Sequence, residues 1–174
     1  ALVMELRYRD FRLYCLLGDL ALAAASYIEA QKAYAESENI FLQQRRPNHL
    51  AGLALGGHGY VAYRQGRWPE AQRYLTGALT DALTLKAHLP TIYALPAVAL
   101  VLAANGALAR AVEIWALARN YPFVANSKWF EDVAGRDLVN LAATLPSEVA
   151  KAARERGRAL DLWKTVESLL VELA

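Results

Sequence analysis

Small residues recur at fixed offsets, with an interval of 40–41 residues, along this 174-residue chain. Small residues at fixed places in a helical repeat allow neighbouring helices to approach closely. The spacing therefore predicts a short stack of helical hairpins, an architecture that serves binding. Each repeat has four such positions, and the three sets are Gly18, Ala25, Ala30 and Ser37; Gly59, Gly66, Ala71 and Ala78; and Ala99, Gly106, Ala111 and Ala118.

Composition agrees with an all-α fold. Alanine makes up about a fifth of the chain, leucine is nearly as frequent, and runs of strand-favouring Val, Ile and Thr are missing. The hydrophobic fraction of 56% is high for a free-standing domain of this length. This fraction is expected of a solenoid cut from a longer protein, whose end hairpins expose faces that neighbours covered. The first residue, Ala1, fits such a fragment or a processed chain.

Charge and cysteine content narrow the possible partners and the compartment. The net charge of +2 does not favour a nucleic-acid surface. A single cysteine, Cys15, excludes an internal disulfide and is typical of a reducing compartment, so we expect a cytoplasmic protein. Charged residues within the first ten positions argue against a signal peptide. Residues 87–109 are uncharged, but His88, Pro90, Pro96 and Asn105-Gly106 interrupt them, which favours a buried helix over a membrane span.

Helix boundaries follow from the turn residues. Residues 1–6 are predicted as the tail of a preceding helix, and three hairpins then extend to residue 119. Their predicted helices cover 7–24, 27–44, 49–65, 69–86, 90–104 and 108–119, with Pro47-Asn48 opening the second hairpin and Gly66 and Gly106 ending helices.

The remainder of the chain begins with a break at residues 120–127, which contain a proline and no helical periodicity. Residues 128–174 are predicted as a degenerate fourth hairpin plus a capping helix, about nine helices in all. Ala152 lies one more interval after Ala111. Asp161 is the predicted N-cap of the last helix, which is amphipathic.

The small positions resemble those of the tetratricopeptide (TPR) repeat over residues 7–119. Leu17-Gly18, the segment from Gly66 to Ala71, and the segment from Gly106 to Ala111 carry the resemblance. The interval is longer than the usual 34 residues of that repeat, and its closing proline is missing. Long repeats of this kind are similar to the carboxyl-terminal region of bacterial STAND-class ATPases, including LuxR-type transcriptional regulators. The turn from Gly157 to Leu160 adds to this likeness, which implies a sensor or scaffold role.

No catalytic or metal constellation is apparent in the sequence. The cluster Gly56-Gly57-His58-Gly59 lies inside a predicted helix and is interpreted as a close helix contact rather than a phosphate cradle. The three histidines form no i, i+4 pair, and Cys15 has no sequence partner that would activate it. The prediction is a non-enzyme without cofactor or metal. Trp115 is predicted to be core, and Trp68 and Trp129 to seal hairpins.

The TPR resemblance implies a concave groove lined by the first helix of each hairpin. Tyr60, Tyr63, Arg64 and Tyr93 would form an aromatic, cationic surface suited to peptide side chains or a carboxylate. The alternative is that these are ordinary solvated helix residues. The positions carried over are Arg12, Cys15, Asp19, Gly56, Tyr60, Tyr63, Arg64, Tyr93 and Leu100.

Two functional hypotheses follow. The first is the sensor or interaction region of a larger bacterial signalling ATPase or transcriptional regulator, which binds a protein, a peptide, other domains of the same polypeptide or a small-molecule inducer. The second is a stand-alone adaptor that self-associates into a homo-oligomer through its exposed hairpin ends. Neither hypothesis involves direct contact with nucleic acid or membrane.

Overall fold

The computed structural model describes residues 2–43, 50 and 52–174, with side chains from residue 10 onward. These residues form helices and no strand, which confirms the all-α prediction. The helices are α1 Leu2–Ala23, α2 Tyr27–Gln43, α3 Leu53–Arg64, α4 Trp68–Thr84, α5 His88–Ala104, α6 Leu108–Ala118, α7 Pro122–Ala125, α8 Lys128–Phe130, a π-helical segment Glu131–Gly135, α9 Arg136–Ala142, α10 Ser147–Arg158 and α11 Leu162–Glu172.

The first six helices form three consecutive hairpins, as the repeat predicts. α1 packs on α2, α3 on α4 and α5 on α6, and each hairpin also contacts the next one along the chain. Residues 2–6 are continuous with α1 rather than the tail of a separate helix. The predicted start of the second hairpin at Pro47-Asn48, with His49, lies outside the described residues.

The small repeat positions lie where helices cross. Ala30, Ala71 and Ala111 are 0–2% exposed. A Cβ added at Gly18 would meet the Tyr34 ring at 2.5 Å, and one at Gly59 would meet Leu75 at 2.7 Å. Larger side chains at these positions would separate the helices, which is the physical basis of the repeated spacing.

The turns inside the three hairpins share one backbone conformation. Ala25, Gly66 and Gly106 have φ angles of 57°, 73° and 85°, in the left-handed region. At each turn two backbone N–H groups return to the preceding helix, for example Gly66 N to Tyr63 O and Arg67 N to Ala62 O, both at 2.9 Å. This is the glycine-favouring helix end that the sequence predicts, although the first turn uses alanine.

α5 is the central helix of the fold. Residues 91–103 are all buried, since α3, α4, α6 and the carboxyl-terminal helices surround α5. The uncharged stretch of the sequence therefore lies in the protein core. Among the described residues, no helix combines the length and apolarity that a membrane span requires.

The last helices do not form a fourth hairpin of the same kind. α9 and α10 both pack on α6, and α11 packs on α4. Ala152 is half-buried, whereas a Cβ at Gly157 would lie 2.2 Å from the Glu113 carbonyl oxygen, so Gly157 allows α10 to approach α6. Asp161 is the predicted N-cap and accepts a bond from Lys164 N at 2.9 Å.

Candidate functional site

A carboxylate of the first helix is the polar centre of the hairpin stack. Asp19, on α1, accepts hydrogen bonds at Oδ1 from Tyr34 of α2 at 2.7 Å and from Tyr93 of α5 at 2.6 Å. No described residue donates to its Oδ2. Both helices of the first hairpin and the first helix of the third hairpin therefore converge on one acidic group.

The segment that follows the break covers this centre. Trp129 donates its indole N–H to the backbone oxygen of Asp19 at 2.8 Å. Its ring stacks on Tyr93, with centroids 5.5 Å apart, and meets Tyr60 edge-on at 5.4 Å. Tyr60 in turn donates to the Tyr93 backbone oxygen at 2.9 Å. Trp129 is half-buried, its indole N–H is satisfied, and it thus seals the inner side of the hairpins.

An arginine holds the same segment from the other side. Arg64 donates to Asp137 Oδ2 and to the Val133 backbone oxygen, both at 2.6 Å. Asp137 lies on α9, and Val133 lies in the π-helical segment. Tyr63, beside Arg64, is half-buried, and burial raises the pKa of its hydroxyl.

These contacts replace the open groove that was expected on the concave side. Tyr60 and Tyr93 are 0% and 4% exposed, and Arg64 binds groups of the chain itself. Gly56 and Leu100, also carried over as groove positions, are buried. The reason is that residues 128–142 pack across α1 and α5, on the face where a bound peptide was expected.

Part of the expected site remains accessible as a small cavity. It has a volume of about 130 Å³ and brings together four of the predicted residues, Arg12, Cys15, Asp19 and Tyr93. Arg12 is exposed at the cavity, whereas Asp19 and Tyr93 lie deeper. The remaining walls are apolar, and they are formed by Leu16, Leu50, Leu53, Leu89 and Phe123.

Burial sets the protonation behaviour of both acidic groups in the cavity. It raises the pKa of Asp19 to about 6, although the hydrogen bonds from Tyr93 and Tyr34 oppose this shift. It also raises the pKa of the Cys15 thiol to about 11, and that sulfur lies 3.1 Å from Ser37 Oγ. Cys15 is therefore a protonated, packed thiol rather than an activated nucleophile at neutral pH.

The other chemical candidates of the sequence are packing residues. Gly57 lies against the Tyr34 ring, inside α3, so the glycine cluster serves close packing. His58 is 5% exposed and stacks on Tyr74 with ring centroids 5.0 Å apart, and burial lowers its pKa. Among the described residues, no group of three or more His, Cys, Asp or Glu side chains could hold a metal ion.

Sequence reasoning missed Tyr34 and Trp129 as parts of this site. Tyr34 occupies a repeat position that is core in the other hairpins, so only its hydroxyl distinguished it. Trp129 follows the break, where an indole N–H needs a partner that local sequence does not supply.

Comparison with known proteins adds no relative. None of the protein-family models, curated proteins or solved structures with which the chain was compared matches it.

Proposed function

We propose that this chain is a non-catalytic binding and scaffolding module. In this proposal it is the sensor or interaction region of a larger bacterial signalling ATPase or transcriptional regulator in the cytoplasm. Its ligand site is the cavity at Asp19. The hairpins form the walls of the cavity. Ligand binding at Asp19 would affect several helices at once, because the Asp19 carboxylate is hydrogen-bonded to α2 and α5.

The observation that carries the proposal is a largely buried carboxylate beside an apolar cavity, where its ionised form is less stable than in water. Burial disfavours the ionised form of Asp19, and perturbed acids of this kind are enriched at functional sites. With a pKa of about 6, Asp19 is mostly ionised at neutral pH. An ammonium group in the cavity would neutralise that charge, and the Tyr93 ring would favour the same cation.

Cavity size limits the ligand to a small molecule. Its volume of about 130 Å³ is close to that of a cavity of ~150 Å³ that binds benzene in another protein. The proposed ligand class is therefore a small amine with a compact apolar body.

Benzylamine is a suitable probe, with benzyl alcohol as its neutral counterpart of the same shape. Isothermal titration calorimetry at pH 7.5 should detect benzylamine binding, which Asp19→Asn weakens about tenfold because a charge-assisted contact is lost. Arg12→Gln should strengthen binding, since it removes a like charge at the cavity. Asp81→Asn on α4, a partly buried carboxyl away from the cavity, is the matched control. Equal binding to wild type and Asp19→Asn would contradict the proposal.

A second candidate function, self-association as an adaptor, is favoured by an apolar stripe on α1. Leu13, Leu16, Leu17 and Leu20 are 43–67% exposed. Their i, i+3, i+4, i+7 spacing places them on one helix face, the pattern of a helix that packs on another.

The occupant proposed for this stripe is a second copy of the chain. The α2 surface beside it carries both signs of charge, with Lys32 between Glu29 and Glu36. In a two-fold symmetric dimer such a surface can pair Lys32 of one copy with a glutamate of the other.

A further inference from the structure

A second concave site lies where α6, α9 and α10 meet. Its volume is about 240 Å³, slightly below the range of ~300–1,000 Å³ that is usual for drug-sized ligands. Three arginines line it, Arg119 directly after α6 and Arg154 and Arg158 of α10, and no carboxylate does. The other lining residues are Val112, Trp115, Ala116, Asn120, Leu138, Val139 and Ala142.

The helix geometry explains why the arginines collect here. Arg154 and Arg158 are four residues apart and share one face of α10. Arg156 lies on the other face and donates to Glu113 at 2.8 Å, and Glu113 also accepts from Arg110 at 2.9 Å. The neighbouring carboxylate is therefore already paired outside the site.

The three guanidinium groups have no ion pair among the described residues. Arg119 lies over the Trp115 ring, 5.8 Å from its centroid. Asn120 Nδ2 donates to the backbone oxygen of Arg158 at 3.0 Å, and no described residue forms an ion pair with the Arg158 guanidinium. Like charges four residues apart on a helix repel each other, and a bound anion would relieve that repulsion.

The floor of the site is apolar and rigidly packed. Val112, Ala142 and Ala153 form a small hydrophobic cluster beneath it, and Trp115 is 8% exposed. The close approach of α10 to α6 at Gly157 fixes the two walls relative to each other. A ligand here would meet hydrocarbon and indole surface below and guanidinium donors at the rim.

We infer that this site, the arginine pocket, binds a small organic anion with an apolar or aromatic body. Guanidinium groups bind carboxylates and phosphates through paired N–H donors, and both chemistries fit the rim. The apolar floor selects against a bare inorganic anion. The site takes a ligand of opposite charge to the one proposed at Asp19, and it does not depend on that proposal.

The test uses 1-naphthoate and 1-naphthyl phosphate as probes, with 1-naphthalenemethanol as the neutral counterpart and acetate as the anion without a ring. Isothermal titration calorimetry with the whole chain should show binding of one or both naphthyl anions and much weaker binding of the other two. The naphthoate and phosphate arms distinguish the two sources of negative charge. In NMR titrations with the same anions, the backbone amide chemical shifts that change should belong to α6 and α10 rather than to α1 and α5.

Arg154→Gln and Arg158→Gln should each weaken the bound probe by about fivefold or more, given the usual strength of charge-assisted hydrogen bonds. Both side chains are exposed, so the variants should fold like the wild type. Lys151→Gln removes the same charge from α10 at an exposed position outside the pocket and should leave affinity unchanged. The inference is overturned if neither anion binds, if the neutral alcohol binds equally well, or if Lys151→Gln weakens binding as much as the arginine variants.

Discussion

At the scale of single residues, the three hairpin turns adopt the same left-handed backbone conformation with different amino acids. Ala25, Gly66 and Gly106 all adopt positive φ, but only the glycines do so without steric strain. A Cβ at Gly66 or Gly106 would meet no atom within 4 Å, so backbone conformation alone decides the cost of substitution there.

Ala25→Gly is therefore expected to stabilise the protein by about 0.5–1 kcal/mol, and Gly66→Ala to destabilise it by about 1 kcal/mol. Urea unfolding followed by circular dichroism measures both changes. Gly106→Ala, at the equivalent turn, should match Gly66→Ala. If Ala25→Gly were destabilising, the strain assigned to the first turn would not exist.

The raised pKa of Asp19 makes the stability of the folded protein depend on pH. Because its pKa is raised from 3.8 to about 6, the folded state holds the proton more tightly than the unfolded state. This group therefore favours folding most below pH 4, and that contribution is lost as the pH rises to about 6.

Asp19→Asn should remove this dependence, since an amide oxygen still accepts the tyrosine hydroxyls and carries no charge. We expect a gain of about 1–3 kcal/mol in unfolding free energy at pH 7.5 and little change near pH 4. Denaturant unfolding at the two pH values provides the measurement. An equal effect at both pH values would show that burial of charge is not the cause.

At the scale of elements, the structure depends on a clamp between two parts of the chain 73 residues apart. Arg64 of α3 reaches Asp137 of α9 and the Val133 carbonyl of the π-helical segment. Together with Trp129, it holds residues 128–142 against the hairpins.

Arg64→Ala should lower the free energy of unfolding by about 1–3 kcal/mol, because two charge-assisted hydrogen bonds are lost. Arg64→Lys should be intermediate, since one ammonium cannot reproduce the planar fork. Amide exchange at residues 131–137 should increase more than exchange in α4. The control is Arg73→Ala on α4, an exposed arginine whose loss should change stability by less than about 0.5 kcal/mol; an equal loss there would argue against the clamp.

The sequence predicts where the helices begin and end. It does not predict the contacts between distant helices, and the reason is physical. Helix ends at Gly66, Gly106 and Asp161 follow from backbone preferences within a few residues. The contact of Arg64 with Asp137 depends on how two distant helices meet, and no local pattern encodes it. The same limit applies to Tyr60, whose ring contacts Tyr93 and Trp129, two residues distant in sequence.

At the scale of the whole molecule, the concave side of the hairpins is covered by other helices and the outer face of α1 is not. The concave side is filled by the carboxyl-terminal helices, whereas α1 presents its leucine stripe to solvent. The exposed leucine stripe of α1 is therefore available to a protein partner, whereas the cavity at Asp19 and the arginine pocket accommodate only small molecules.

Self-association through the stripe predicts a concentration-dependent dimer. The double variant Leu16→Glu with Leu20→Glu should shift it to monomer, because charged side chains would lie in the interface. Sedimentation equilibrium measures the change. Val171→Glu on α11, where the side chain is 79% exposed, is the control and should leave the dimer intact. A wild-type chain that stays monomeric at high concentration would exclude this mode.

The sequence by itself determined the all-α class, the three hairpins, their turns and the small residues at helix crossings. These features repeat along the chain and arise from local backbone energetics and the minimum distance between helices. Only the tertiary structure decided that residues 128–142 close the concave side, that Asp19 meets two tyrosines beside a cavity, and that three arginines share a pocket. Those outcomes depend on complementarity between surfaces far apart in sequence, where many side chains of the same polarity would satisfy the local pattern equally well.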